Sequence, residues 1–280
     1  MKRFFTLVFV LLVAATVANA QSVRICSWNL RDFGKSKGDS ILNFIADVLR
    51  DYDVVALQEV VAGDGGAKTV AALNDALNRR GAKWDYVVSD PTYSSSYKSE
   101  RYAFLWKSSK LKLSGRPWLE QRYKSVIDRE PYYATFTFNA KQFTLVNFHA
   151  ITKSRQPETE VKYFKFLPDL YPKLNLLFCG DFNLPQSHSV FNPLKSMGYL
   201  PALVGQRTSL KMKMRKPKNN KPVSVEDRSL ASEFDNFFYK GKLLQTLKAG
   251  VDNFYKRFNY LEAARRVSDH LPIFIEMRIL

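Results

Sequence analysis

Apolar, β-branched runs that stop on an acid, an amide or a histidine recur along the whole of this chain, and they limit the folds open to it. The pieces are Trp28-Asn29-Leu30-Arg31, Gln58-Glu59-Val60, Asn147-Phe148-His149, Gly180-Asp181-Phe182-Asn183, Phe234-Asp235-Asn236 and Ser268-Asp269-His270. A run of this kind reads as a buried strand, and a polar group at its end projects from a strand tip, because an isolated acid in the core is costly to desolvate. Helical patterns lie between the early runs. Asp39-Ser40 predicts the cap of a helix with Ile41, Leu42, Phe44, Ile45, Val48 and Leu49 on one face, and a second helix is expected over roughly Ala67 to Arg80. Val23 to Leu30, Asp53 to Leu57 and Trp84 to Val88 read as strands. This alternation indicates layered α/β architecture.

The middle changes character. Arg101 to Trp106, Tyr133 to Phe138 and Gln142 to Phe148 read as strands with polar connections, which predicts antiparallel neighbours. A helix around Thr159 to Leu167, a strand from Leu174 to Cys179, a helix starting near Ser187 and a closing strand from Leu271 to Ile279 complete the pattern. There is no internal repeat and no hinge-like linker. Strands in two groups with outer helices predict one domain built on two packed sheets.

The first twenty residues stand outside that domain. Lys2 and Arg3 precede an apolar stretch from Phe4 to Val17 that ends in Ala18-Asn19-Ala20, the pattern of a cleaved secretory signal. The stretch is shorter than the roughly 20 residues that span a bilayer, so an exported or periplasmic soluble protein over residues 21–280, without stable membrane association, is expected. Export permits disulfides, yet Cys26 and Cys179 are the only cysteines and both sit inside apolar strand text. Buried thiols are expected, with a bridge between them as the alternative. The net charge of +17 suits a polyanionic partner, either nucleic acid or an anionic membrane surface. Lys211 to Lys221 carries six basic residues, a proline and no acid, within an insertion over 210–228 that reads as a mobile surface loop.

Gly-Asp-Phe-Asn is the most informative motif. The glycine permits an unusual backbone, Asp181 and Asn183 project side by side with period 2, and Phe182 anchors the opposite face. Oxygen donors of this kind suit Mg²⁺, Mn²⁺ or Ca²⁺ rather than zinc. His149 and His270 each end a strand beside acids, which fits general acid and general base roles. His188, the third histidine, lies in a polar helix start and receives no role.

Taken in order, Trp-Asn-Leu-Arg-Asp-Phe-Gly, Gln-Glu-Val, Ser-Tyr-Lys-Ser-Glu-Arg-Tyr, Arg-Glu-Pro, Phe-His, Gly-Asp-Phe-Asn, Phe-Asp-Asn and Ser-Asp-His-Leu-Pro resemble the endonuclease/exonuclease/phosphatase superfamily, and within it the deoxyribonuclease I branch. The resemblance runs from about Val23 to the C-terminus. It implies a four-layer α-β-β-α sandwich of two packed mixed sheets flanked by helices. It also implies a metal-dependent endonuclease that cuts double-stranded DNA with little sequence preference and leaves 5′-phosphate ends, working as a monomer. By the same resemblance, Asn29 and Glu59 would bind the ion with Asp269 close to it. His270, oriented by Asp235, would be the general base, and His149, oriented by Glu100, the general acid. Asp181 and Asn183 would position the water and the phosphate, Arg129 would donate to phosphate oxygens, Arg31 and Tyr97 would reach the minor groove, and Thr208 or Ser209 would touch a phosphate. Val61 stands where secreted members of the branch carry arginine, and their disulfide loop is absent. The alternative within the superfamily is a sphingomyelinase-like phospholipid or inositol-phosphate phosphodiesterase, which calls for an exposed aromatic membrane hairpin not found in the sequence. A catalytically dead binding protein is the third reading, and the full set of expected polar residues weighs against it.

Overall fold

Strand periodicity explains why the early runs are buried on both faces. The structure, a computed structural model, describes residues 22–94, 99–213 and 228–280. The expected signal, Tyr97 and most of the basic insertion lie outside the described residues. In β1 (Val23–Phe33) the residues Cys26, Trp28 and Leu30 pack outward under helices, whereas Val23 and Ile25 face a second sheet. In β2 (Val54–Val61) Val55 and Leu57 point outward and Val54 and Ala56 inward. Both faces of these strands are covered, so neither shows the polar alternation of a half-exposed strand.

Two six-stranded mixed sheets result. With β3 (Trp84–Val88), β4 (Glu100–Lys107), β11 (Leu244–Val251) and β12 (Ile273–Ile279), the first has the order β11-β12-β1-β2-β4-β3. The second contains β5 (Lys112–Leu119), β6 (Tyr132–Phe138), β7 (Lys141–His149), β8 (Leu176–Asp181), β9 (Tyr199–Pro201) and β10 (Asp235–Lys240), in the order β5-β6-β7-β8-β10-β9. Helices α1 (Asp39–Leu49), α2 (Asp64–Asn78) and α6 (Leu261–Val267) cover the first sheet. The short α3 (Glu158–Val161), α4 (Leu167–Leu170) and α5 (Asn192–Ser196) cover the second. The arrangement is the expected four-layer sandwich. Among the described residues no helix is long and apolar enough to cross a membrane.

Several local expectations are corrected. Helix α1 is capped by Gly38 with no side-chain cap, and Asp39 is its first residue. The strands over 100–107 and 132–138 are not neighbours: β4 pairs with β2 and β3, and β6 pairs with β5 and β7. The helix over 159–167 breaks into α3, a 3-10 turn at Lys162–Phe166 and α4, in whose first turn Pro168 sits where its missing N–H costs no helical bond. The cysteines, by contrast, follow the leading expectation: Cys26 and Cys179 are free and buried in different layers, one under the helices and one between the sheets.

Candidate active site

The ends of seven strands meet at one edge of the sandwich. Asn29 lies toward the end of β1, where its ladder with β2 becomes irregular, Glu59 lies near the end of β2, His149 ends β7 and Asp181 ends β8, while Glu100 and Asp235 begin β4 and β10, and His270 precedes β12. In the second sheet His149 pairs with Asp181 across the parallel β7–β8 ladder, and Asp181 pairs with Asp235 across the antiparallel β8–β10 ladder. These three side chains therefore stand on one rung. Gly180 makes the close approach possible: its φ is +134°, and a Cβ there would lie 1.9 Å from the carbonyl oxygen of Phe148. Phe182 locks the tip from below, with Phe148, Phe164, Phe191 and Phe238 at centroid distances of 5.8, 5.8, 5.6 and 5.3 Å. Truncating it to alanine is expected to cost about 3–5 kcal/mol.

Backbone strain concentrates at the same edge. Arg31, Asp32, Glu59 and Asn183 have φ values of 40°, 50°, 58° and 51°. Left-handed conformations at non-glycine residues cost of order 1–3 kcal/mol each and persist only where surroundings enforce them. At Glu59 the enforcement is visible: the ladder slips between Leu57 and Val60, and the carboxylate accepts Asn29 Nδ2 at 2.8 Å and Asp32 N at 3.0 Å.

Asp181 is the hub. Its Oδ2 lies 3.6 Å from Nε2 of His149, 3.5 Å from Nε2 of His270 and 3.2 Å from Asn29 Nδ2, and its Oδ1 accepts Asn183 N at 2.9 Å. Each imidazole has its own carboxylate behind it. His149 Nδ1 lies 2.9 and 3.0 Å from the two oxygens of Glu100, and His270 Nδ1 lies 2.8 Å from Asp235 Oδ2.

The two pairs differ electrostatically. Burial pushes Glu100 up to about 7 and His149 down to about 4, so at neutral pH the first pair tends to a neutral acid beside a neutral ring. A protonated Glu100 donates to Nδ1, which leaves the ring hydrogen on Nε2, facing Asp181. His270 behaves oppositely. Burial disfavours its cation, but Asp235 and Asp181 outweigh it and hold the ring protonated well above its ordinary range. Asp181 itself is pushed up, chiefly by burial.

Glu59 and Asp181 are two acids bridged by the Asn29 amide, and among the described residues no lysine or arginine lies within 4 Å of either. Oxygen donors carrying surplus negative charge fit a hard divalent ion. Asp181, Asp235 and His270 also bring donor atoms within 4.8 Å of one another, but Asp235 Oδ2 already faces His270 Nδ1 and Thr208 Oγ1. The Glu59 side is the more open to an ion, with 24% of that side chain exposed.

Other expected residues fall in different places. Asp269 is paired with Arg265 at 3.1 Å and Arg31 at 3.6 Å, so two guanidinium groups offset its charge at the rim. Thr208 is fully buried and donates to Asp235 Oδ2 at 2.6 Å while accepting the N–H groups of Phe234 and Asp235. Arg129 gives Nε and one Nη to the carbonyls of His149 and Ala150, tying its loop to the end of β7. Arg31 remains at the rim, 44% exposed. Asn29 presents its amide nitrogen to the acids, its oxygen accepting Arg31 N at 3.0 Å. Sequence reasoning missed Gln58, Tyr102 and Glu160. Gln58 Nε2 bonds Asn147 Oδ1 at 2.6 Å across the sheets, the hydroxyl of Tyr102 joins His149 N to the carbonyl of Arg129, and Glu160 accepts N–H groups from Asp128 and Ile151. Only the position of Gln58, beside Glu59 at a strand end, signalled a role beforehand.

The fold and the residues at its edge define a class. The sequence signature of the Endonuclease/Exonuclease/phosphatase family matches residues 26–270, and the chain belongs to that family. Within it the chain falls in the deoxyribonuclease I-like branch. It is 27% identical to a deoxyribonuclease of Thioalkalivibrio over 97% of this chain and 74% of that one, and 28% identical to deoxyribonuclease gamma of Rattus norvegicus over 94% and 87%. Bovine deoxyribonuclease-1 is 27% identical over 90% and 91%. The human Nocturnin catalytic domain shares the fold, with a TM-score of 0.63 at 16% identity over 92% of this chain and 95% of that one. A D. rerio TDP2 structure complexed with single-strand DNA product also has a TM-score of 0.63, at 17% identity over 91% and 98%.

Proposed function

We propose that the chain is a divalent-ion-dependent endonuclease that hydrolyses phosphodiester bonds of double-stranded DNA with low sequence preference, leaves 5′-phosphate ends, and acts as a monomer after export. The observation that carries this reading is the hub: one oxygen of Asp181 lies between two Nε2 atoms, each backed by its own carboxylate. The deoxyribonucleases among its relatives support DNA as the substrate.

Glu59, with Asn29 beside it, would hold the ion, which when bound stabilises negative charge on the phosphoryl oxygens. The chain's own groups divide the proton transfers. Because Asp235 and Asp181 keep His270 protonated, His270 is poorly placed to take a proton, and the expected base role passes to Asp181. Asp181 accepts a proton from the attacking water, whose oxygen bonds to phosphorus as the P–O3′ bond breaks. His149 gives its Nε2 hydrogen to the departing 3′ oxygen while the proton held by Glu100 passes to Nδ1, so the ring stays neutral. His270 donates to a non-bridging oxygen and stabilises the extra charge. Asn183 helps to seat the phosphate, and Arg129 fixes the loop that lines it. Arg31 and Tyr97 would contact the groove.

The root of the basic insertion supports a grip on the same substrate. Ser209 bridges to His270, and Leu210 N donates to the carbonyl of Asp269, so the insertion leaves the fold beside the cleft. The test is incubation of the mature protein with supercoiled plasmid, with Mg²⁺ or with EDTA, alongside His149→Ala and His270→Ala. Nicking should require Mg²⁺, fall by two or more orders of magnitude in each variant, and leave nicks that DNA ligase seals without a kinase. Metal-independent cutting, or wild-type rates in both variants, overturns the proposal.

A further inference from the structure

A surface beside the cleft is built from aromatic rings and lysines that the hydrolytic site does not use. Tyr123, Tyr163 and Phe166 form an open cluster with centroids 5.2, 6.3 and 6.4 Å apart, and Phe166 is 44% exposed. Lys162 Nζ lies over the ring of Tyr163 at 5.3 Å, and Lys165 Nζ over Phe166 at 4.9 Å. A fourth ring, Tyr93, is 68% exposed with Lys124 Nζ 5.4 Å above it. Its backbone is held firmly, since Tyr93 N donates to both oxygens of the buried Glu130 at 3.0 and 2.9 Å. Water-exposed rings on a fixed frame are pre-ordered for stacking, which lowers the entropic cost of a contact.

The surface continues into the cleft. A groove of about 350 Å³ runs from Tyr93 and Lys124 past Val126 to Asp128, Ile151 and Glu160. Asp128 adjoins Arg129, and Ile151 lies two residues beyond His149. Glu160 clasps both walls by accepting Asp128 N and Ile151 N. Three ring–lysine pairs, Tyr93 with Lys124 at the mouth of this groove and Tyr163 with Lys162 and Phe166 with Lys165 in the neighbouring cluster, supply the combination that tracks a phosphodiester backbone while bases stack.

We propose that this aromatic–lysine surface binds unpaired nucleotides of a strand leading to the hydrolytic site, stacking bases on Tyr93 and Phe166 while the lysines meet phosphates. The inference rests on the nuclease reading for its direction along the strand, but its binding test does not require cleavage. Lysine-rich aromatic surfaces also suit anionic membranes, but continuity with the cleft favours nucleic acid.

The experiment uses the mature protein in EDTA, with fluorescence anisotropy on a labelled thymidine oligonucleotide and on an abasic oligonucleotide of equal length. Tyr93→Ala with Phe166→Ala, both at exposed positions, should weaken binding to the thymidine strand by about a hundredfold, the size of two base–aromatic stacks. Binding to the abasic strand should change less than twofold. Lys124→Gln with Lys165→Gln should weaken both strands alike. Equal affinity of the double aromatic variant and wild type for the thymidine strand overturns the proposal, as does an equal loss on the two strands. Loss of binding only to phosphatidylserine vesicles, with oligonucleotide binding intact, assigns the surface to a membrane and overturns it too. Should wild-type protein fail to nick plasmid yet show the base-dependent loss, the nuclease reading falls and the surface assignment stands.

Discussion

The hydroxyl of Thr208 donates to Asp235 Oδ2 at 2.6 Å, on the same carboxylate oxygen that faces His270 Nδ1 at 2.8 Å. A residue far from β10 in sequence thus fixes the acid that fixes the imidazole. Thr208→Val keeps the shape and removes the donor, and a lost hydrogen bond to a charged group costs about 1.5–3 kcal/mol. The expected result on plasmid is a kcat lower by roughly ten- to a hundredfold with KM nearly unchanged, restored by Thr208→Ser. A raised KM at constant kcat would instead return Thr208 to phosphate binding.

Asp181→Asn should separate stability from activity. Burial raises the pKa of Asp181, so its ionised form is worse placed in the folded protein than in the open chain. The neutral amide avoids that cost. Thermal unfolding at pH 7 should move upward by a few degrees, while the nicking rate falls by about 10²–10⁴-fold, the range of a lost general base. A drop in both quantities would show that the carboxylate is mainly a structural partner of the two rings.

The Glu100–His149 pair makes a prediction about pH. Folded, Glu100 is held up to about 7 and His149 down to about 4, against ordinary values of 4.5 and 6.5. Between 4.5 and 6.5 the pair binds one proton in the folded state, on Glu100, and one in the unfolded state, on the histidine, so it adds no slope to stability. Removing the ring by His149→Ala leaves the raised Glu100 unopposed. The folded state then binds more protons than the unfolded one from 4.5 to about 7, and stability falls as pH rises through that window. Denaturant unfolding of variant and wild type at half-unit intervals reads the difference, and a difference that grows more favourable with pH would contradict it.

Glu59→Gln should weaken the ion without unfolding the site, because an amide still accepts the Asp32 N–H. Wild-type Tm should rise with added Mg²⁺, as expected for a ligand that binds only the folded state. The variant should need an order of magnitude more Mg²⁺ for the same shift. An identical Mg²⁺ response in the two proteins would remove Glu59 from the ion site.

Replacing Lys211, Lys213, Lys216 and Lys218 with glutamine tests the insertion. For every lysine that neutralises a phosphate, its removal should flatten the logarithmic salt dependence of duplex binding by about one unit. An unchanged slope would free the insertion from DNA.

Much of this was legible in the sequence wherever a local rule applied. Helix α1 declares itself through the spacing of Leu42, Ile45, Val48 and Leu49, β2 and β8 through unbroken apolar runs, and β1 and β7 through largely apolar ones. The strands that escaped notice lie at or near sheet edges. β5 contains both Gly115 and Pro117, which argue against a strand except at an edge. β11 is half exposed, with Lys248 and Gly250 interrupting its pattern. At the site, each polar strand end was visible as a residue type, but its partner was not. Thr208 reaches Asp235, and Glu160 reaches Asp128 and Ile151, over sequence distances at which no pattern of residues carries information. The direction of proton transfer was hidden for the same reason, since it follows from how deeply each imidazole–acid pair is buried.

His149, Asp181 and Asp235 occupy one rung of neighbouring strands, so the sheet itself is the ruler of this site. Hydrogen-bonded strands keep a spacing of about 4.8 Å whatever their side chains, and that constant sets how far apart the reacting groups stand. Evolution can therefore exchange most of the packing around them without retuning the chemistry, provided that the ladder does not slip. A shift of a single residue would turn the acid between the two imidazoles to the far side of the sheet, leaving a folded but inert protein.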